Sequence, residues 1–139
     1  MATIVAIDYG KRRLGIAASD PSGILAYPAG VIRRRSLERD LATLTARLRD
    51  LEANRIIVGW PLNMDGTVGN AARAVEQFAQ HLRRATGLDV ELHDERLSTW
   101  EAEVRLKDAT TGGRRRCDLD AAAAVVILES WFEARRYSR

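Results

Sequence analysis

Three strand-like segments precede any helical pattern in this chain, and that order limits the folds open to it. Residues 3–9, 13–19 and 24–32 are rich in apolar residues, and a short glycine-containing turn joins the first two, as in a hairpin. Pro28 predicts that the third segment lies at a sheet edge or at a bulge, because proline cannot donate to a sheet ladder. The chain is therefore expected to begin with antiparallel strands.

Helices and strands alternate after this start. Ser36 can cap a helix whose leucines recur every three or four residues, and a strand at 55–60 and a second helix ending near Gly87 follow it. Three further elements are predicted, namely a strand at 88–93, a helix opened by a Ser98–Glu101 capping box, and a final helix over about 118–136. Strands separated by helices usually pair in parallel. We therefore expect an α/β fold with a mixed five-stranded sheet flanked by helices, for which a ribonuclease H-like arrangement is one solution among several.

The composition is that of a globular protein. A chain of 139 residues with 46% hydrophobic and 29% charged residues can bury one core, so we expect a single domain over residues 1–139. No apolar run approaches the ~20 residues of a membrane span. Asp8 also interrupts the early apolar segment that a signal peptide would need. With one cysteine, Cys117, the chain fits a reducing compartment, so a cytoplasmic protein without a membrane partner is predicted.

Acidic residues stand where strands end or helices begin. Asp8 closes the first strand, Asp94 and Glu95 follow the fifth, and Asp118 and Asp120 open the last helix. Ligand sites in α/β proteins collect at strand ends, so these carboxylates can converge. Taken singly, each is more readily explained as a turn or helix cap. Asp8 is the hardest to explain in that way, because it ends an apolar run.

Converging carboxylates would need a positive charge beside them. They repel one another at short range, and burial disfavours their ionised form. Carboxylate oxygens are the ligands that Mg²⁺ or Mn²⁺ prefers. Two such ions ~3.5–4 Å apart can activate water and stabilise the leaving oxygen of a phosphodiester. The acids therefore favour a nuclease centre.

Basic residues form clusters, although the formal net charge is only +3. The clusters are Lys11-Arg12-Arg13, Arg33-Arg34-Arg35, Arg114-Arg115-Arg116 and Arg135-Arg136. Such clusters suit a phosphate-rich partner. A solvated surface explains any single cluster equally well.

Four segments, in order and over nearly the whole chain, resemble one protein family. AIDYGKRRLGIAASD, IIVGWPLNMDGT, LHDERLSTWEAE and DAAAAVVILESWF resemble the YqgF family. Its members are bacterial proteins described both as candidate Holliday junction resolvases and as nucleases that mature the 5′ end of pre-16S ribosomal RNA. The resemblance implies a ribonuclease H-like fold, related to RuvC-type resolvases, with a divalent-metal centre of three acids.

The family's three acids fall on Asp8, Glu95 and Asp120. The resemblance implies that these residues are catalytic and bind Mg²⁺ or Mn²⁺, with two ions expected. It selects Asp120 over Asp118, and residues two apart on a helix point about 200° apart, so only one of the pair is expected to face the metals. Trp60 stands where the family more often has a smaller aliphatic residue, which removes no proposed ligand.

Several polar residues are predicted to contact nucleic acid. They are Lys11, Arg12, Arg13, Asn63, Arg96, Arg114, Arg115 and Arg116. Asn63 lies in the segment PLNMDGTVGN, which is either a substrate-facing loop or a plain strand-to-helix connection. Arg96 is expected either to hold a phosphate or to pair with an acid. His93 is expected to be structural rather than a proton carrier.

We therefore expect a metal-dependent endonuclease for structured nucleic acid, acting as a monomer or weak homodimer. Maturation of pre-16S ribosomal RNA at its 5′ end is the favoured role, and Holliday junction resolution in DNA recombination is the alternative. A second interpretation is a non-catalytic nucleic-acid-binding factor in transcription or ribosome assembly. An actin-like phosphotransferase also begins with an Asp-x-Gly hairpin, but it needs two such domains, and 139 residues supply one.

Overall fold

The computed structural model describes residues 3–97 and 116–137, with the side chains of 3–96 and 121–135 among them. The strands in this part of the chain are β1 Thr3–Tyr9, β2 Arg13–Ser19, β3 Ala26–Arg33, β4 Ala53–Trp60 and β5 Asp89–Asp94. The helices are α1 Leu37–Asp50, α2 Asn70–Thr86 and α3 Arg116–Tyr137, and a 3₁₀ turn, Glu95–Leu97, follows β5. The helix predicted to open at Ser98 lies outside the described residues.

The strands form a mixed sheet in the order β3-β2-β1-β4-β5. β2 pairs antiparallel with β1 and with β3, whereas β4 pairs parallel with β1 and with β5. Pro28 lies in the outer strand β3 beside a bulge, because Ile16 pairs with Gly30 while Ala17 pairs with Pro28. The predicted mixed sheet and both expectations for Pro28 are therefore confirmed.

Helices cover both faces of the sheet. α1 and α2 pack on one face through buried side chains that include Leu44, Phe78 and Leu82. α3 packs on the other face, where Ile127 and Trp131 lie against small and branched strand residues. Because side chains alternate along a strand, β1, β2 and β4 each contribute buried residues to both clusters. The sheet is thus buried on both sides, as its apolar runs indicated.

The helix ends follow their sequence signals, with one exception. The Ser36 hydroxyl accepts a hydrogen bond from the backbone N–H of Arg39 at 3.2 Å, and Gly87 ends α2 in the left-handed region with φ of 72°. The exception is α3, which begins at Arg116, two residues before its expected start. Arg116 therefore belongs to the first turn of α3 and not to the preceding segment, and Asp118, which was expected as a cap, lies inside the helix.

None of the helices in residues 3–97 and 116–137 combines the length and the apolar character needed to cross a membrane.

Candidate active site

The parallel strands β1, β4 and β5 finish side by side at one end of the sheet, the carboxyl edge, and acidic residues gather there. Asp8 is the penultimate residue of β1, and Asp94 is the last residue of β5. Glu95 follows directly in the 3₁₀ turn. Asp8 and Glu95 are each partly buried at this edge. The structure therefore brings together two of the three acids that the sequence singled out.

Gly59 of β4 lies between these two acids. Ile7 pairs with Val58, so Asp8 and Gly59 occupy neighbouring positions on adjacent strands, one residue further on. The Glu95 carboxyl group lies directly above Gly59, together with the Cδ1 atom of Ile127 from α3. The acids thus sit on the α3 face of the sheet, where a strand residue without a side chain leaves room for them.

The environment of Glu95 favours its protonated form. Burial, followed by the negative charges of Asp8 and Asp94, raises the pKa of Glu95 from 4.5 to about 7. Asp94 behaves in the opposite way, because its hydrogen bonds with Arg96 lower the pKa of that carboxyl. A cation bound between Asp8 and Glu95 would relieve their repulsion and keep both ionised. The donor set is therefore suited to a hard divalent ion.

Arg96 pairs with an acid, as one of its two sequence interpretations expected. Its Nε donates to Asp94 Oδ1 at 3.0 Å, and its Nη2 donates to Asp94 Oδ2 at 2.7 Å. Its Nη1 also reaches the backbone carbonyl of Met64 at 3.2 Å. Arg96 thereby ties the loop between β4 and α2 to the end of β5, next to Glu95. The Arg96 side chain as a whole is 33% exposed.

The loop that contains Asn63 is held by its own polar groups. Asn63 Nδ2 donates to Thr67 Oγ1 at 2.9 Å, and the Thr67 hydroxyl donates to Asp65 Oδ1 at 2.6 Å. The backbone N–H of Thr67 donates to the same carboxylate oxygen at 3.0 Å. These side chains remain exposed, so they can form a fixed surface beside the acids. The contact of Asn63 with nucleic acid stays a prediction.

His93 packs between the sheet and α3. It is buried at 7% exposure, and its Nε2 lies 2.9 Å from the hydroxyl oxygen of Ser130 in α3. Burial lowers the pKa of His93, against the opposing effect of Glu91 and Asp94. Its burial and its contact with α3 favour the structural interpretation of His93.

The basic turn between β1 and β2 stands next to Asp8. Lys11 and Arg12 are exposed there, while Arg13 is partly buried. Arg34 holds this turn, since its Nη1 donates to the Gly10 carbonyl at 2.9 Å and its Nη2 to the Tyr9 hydroxyl at 2.8 Å. Lys11 and Arg12 are thus presented from a fixed backbone close to the acids. Sequence analysis did not assign this supporting role to Arg34.

Four of the predicted site residues fall outside the described side chains. They are Arg114, Arg115, Arg116 and Asp120. The backbone of residue 120 belongs to α3, seven residues or two turns before Ile127, which contacts the space above Gly59. Among the described side chains, no three acidic, histidine or cysteine residues form a group that could hold a metal.

Trp60, which departs from the resemblance, is the last residue of β4 and pairs with Asp94. It packs with the α1 and α2 cluster on the opposite face of the sheet from Gly59. Its indole N–H donates to Glu76 Oε2 at 3.2 Å. The unusual tryptophan is therefore accommodated by α2.

Two features of the site escaped the sequence analysis. The sequence predicts Asp94 as a further acid beside Glu95, whereas in the structure Asp94 pairs with Arg96. Gly59 was included only as part of a strand, although a single glycine inside a strand often marks a close approach by another group. That signal was available in the segment RIIVGW.

Relatives of the chain carry nuclease names. The sequence model of a family described as "RuvX: Holliday junction resolvase" matches residues 2–134. A protein of Anaeromyxobacter sp. (strain Fw109-5) is 48% identical over 130 residues, which are 93% of this chain and 95% of that protein. A protein of Synechococcus sp. (strain JA-3-3Ab) is 43% identical over 134 residues, which are 96% and 84% of the two chains. Both are named "Putative pre-16S rRNA nuclease".

The fold is shared with resolvases of known structure. RuvC of T. thermophilus, solved with a Holliday junction substrate, has a TM-score of 0.67 at 15% identity, covering 99% of this chain and 98% of that one. The Fowlpox virus resolvase, solved with Holliday junction DNA, has a TM-score of 0.59 at 9% identity, covering 96% and 98%. At these identities the likeness concerns the fold, and it confirms the predicted ribonuclease H-like arrangement.

Proposed function

The chain belongs to the RuvX family, which the four sequence motifs predicted under the name YqgF, and on this basis we propose that it is a divalent-metal-dependent endonuclease for structured RNA. Its proposed role is maturation of the 5′ end of pre-16S ribosomal RNA. The observation that carries the proposal is the meeting of Asp8 and Glu95 at the carboxyl edge of β1, β4 and β5.

Asp8, Glu95 and Asp120 are the proposed ligands of Mg²⁺ or Mn²⁺. Two carboxylates that are partly buried and repel each other form a donor set that a hard cation stabilises. Position 120 lies on the same side of α3 as Ile127, since seven residues make two turns, and this supports its choice as the third ligand. When bound, two ions of this kind activate water and stabilise the leaving oxygen of a phosphodiester.

The protein groups around the acids are proposed to orient the substrate. Exposed Lys11 and Arg12 hold the phosphate backbone beside Asp8, from a turn that Arg34 fixes. The loop around Asn63, which Arg96 ties to the end of β5, is proposed to contact the substrate beside Glu95. Arg114, Arg115 and Arg116 are proposed as further phosphate contacts on sequence grounds. The Arg96 side chain is partly exposed, so we include it among the contacts, although its first partner is Asp94.

The choice of RNA rests on the names of the relatives. Two relatives that match 93% and 96% of this chain are named for pre-16S ribosomal RNA. Holliday junction resolution is the second candidate, because the family description names that activity. We further propose that residues 1–139 form one domain that works in the cytoplasm, as a monomer or weak homodimer.

The deciding experiment compares the two substrates directly. The wild-type protein is incubated with a 5′-labelled 16S precursor RNA and with a labelled four-way DNA junction, in Mg²⁺, in Mn²⁺ and in EDTA. We expect metal-dependent cleavage of the RNA near the mature 5′ end and no paired cuts in the junction. Symmetric cleavage of the junction alone would favour the resolvase. Binding of either substrate without cleavage in any metal would favour the non-catalytic factor.

The basic turn makes a separate prediction about salt. Replacing Lys11 and Arg12 together by alanine should weaken RNA binding in EDTA and flatten its salt dependence. Each lost phosphate contact should reduce the slope of log K against log salt by about 0.7 to 0.9. Arg49 and Arg84 provide the matched control, because both are exposed cations near the ends of α1 and α2, at the opposite edge of the sheet. Equal slopes for the two double variants, measured by fluorescence anisotropy, would contradict the assignment of the turn.

A further inference from the structure

The floor beneath the Glu95 carboxyl group is a single glycine, and the space there is already full. A Cβ atom added at Gly59 would lie 2.7 Å from Ile127 Cδ1 and 3.0 Å from Glu95 Cδ, with Glu95 Oε1 closer still. Real Cβ atoms do not approach other heavy atoms this closely. Even one methyl group at position 59 must therefore displace the carboxyl group, the isoleucine or the strand.

The glycine is required for space and not for its backbone conformation. Gly23, Gly30, Gly66 and Gly87 have positive φ, whereas Gly59 is not among the described glycines with that conformation. It lies in the interior strand β4, which pairs with β1 on one side and with β5 on the other. β1 carries Asp8, and β5 leads to Glu95. A shift of β4 would therefore also move the strands that hold the two acids.

We propose that Gly59 is a positioning residue that sets the height of the Glu95 carboxyl group above the sheet, next to Asp8, and thereby controls divalent-metal affinity. The inference rests on the proposed function for the identity of the bound ion. Gly59 touches neither metal nor substrate and acts through Glu95. Its neighbour Ile127 closes the same space from the α3 side, so the carboxyl group is confined between a strand and a helix.

A methyl group added at position 59 would contact both Ile127 and Glu95, and the test isolates the contact with Glu95. Ile127→Val removes the Cδ1 atom, so Gly59→Ala is made in that background and compared with Ile127→Val alone. Mn²⁺ affinity is measured by calorimetry and by the Mn²⁺-induced rise in unfolding temperature. We expect the glycine substitution to weaken Mn²⁺ binding about 10- to 100-fold, as displaced supporting groups at metal sites do. RNA affinity in EDTA should stay unchanged, and kcat should fall with little change in KM.

A Gly→Ala substitution far from the acids measures how much the loss of a glycine lowers stability in general. Gly23→Ala introduces a methyl group into open space in the loop between β2 and β3, at φ of 72°. It should lower the unfolding temperature while leaving Mn²⁺ affinity intact. Each Gly→Ala variant is checked for native secondary structure by circular dichroism.

Two results would overturn the inference. One is the same Mn²⁺ affinity with glycine and with alanine at position 59 in the Ile127→Val background. The other is an equal loss of Mn²⁺ affinity and of metal-free RNA binding, which would mean that the whole edge is distorted. The binding readouts do not need catalysis. A wild-type protein that binds Mn²⁺ but cuts nothing would therefore count against the proposed function and leave the role of Gly59 measurable.

Discussion

Asp8→Asn is expected to lower metal-dependent cleavage about a thousand-fold, which corresponds to about 4 kcal/mol of transition-state stabilisation. The substitution keeps the size of the side chain and removes one of the two charges that meet at the sheet edge. The remaining Glu95 should then ionise more readily, because the Asp8 charge is one cause of its raised pKa. Cleavage of labelled precursor RNA under single-turnover conditions measures the effect.

RNA binding without metal shows whether a variant has lost catalysis alone or has also lost its fold. In EDTA, Asp8→Asn should bind RNA at least as well as the wild type, since it removes a negative charge from a surface that faces phosphate. Asp50→Asn is the matched control, because Asp50 is exposed at the end of α1. This variant should cleave the RNA at the wild-type rate. Full metal-dependent activity in Asp8→Asn would remove Asp8 from the centre.

Glu95→Gln is expected to flatten the pH dependence of stability in the metal-free protein. The folded carboxyl group has a pKa raised to about 7, against 4.5 in the unfolded chain, so the folded state binds more protons between these values. The free energy of unfolding of the wild type should therefore fall as pH rises through this window, by up to about 3 kcal/mol. Glutamine cannot titrate and should lose this slope.

Unfolding by urea in EDTA, at intervals from pH 4.5 to 8, measures the effect. Above pH 7 the Glu95→Gln variant should be the more stable protein, and the difference should shrink towards pH 4.5. Glu38→Gln, an exposed acid in the first turn of α1, should keep the slope of the wild type. Parallel pH profiles for Glu95→Gln and the wild type would show that Glu95 is not the buried acid that the structure describes.

Local patterns were sufficient to predict the sheet. Strand periods, the Ser36 cap and the Gly87 terminus depend on interactions within a few residues, so they can be read directly from the chain. The start of α3 was wrong by two residues, because the glycines and arginines before it resemble a loop while the structure makes Arg116 helical. Boundaries of this kind depend on where the helix docks, and docking involves residues far apart in the sequence.

The site was only partly predictable for the same physical reason. That Asp8 and Glu95 meet follows from parallel pairing of β1, β4 and β5, which topology rules anticipate. The pairing of Arg96 with Asp94 and the contact of Glu95 with Gly59 depend on side-chain directions that no spacing fixes. Asp120 was chosen by resemblance, and its ligand role stays a prediction.

The most direct test of the central claim is a crystal of the protein grown with Mn²⁺ and measured by anomalous diffraction at the manganese edge. The account predicts anomalous peaks between the carboxylates of Asp8 and Glu95, with Asp120 as a further ligand, and no such peaks in Asp8→Asn crystals. A manganese-bound crystal without a peak between Asp8 and Glu95 would contradict the proposed centre.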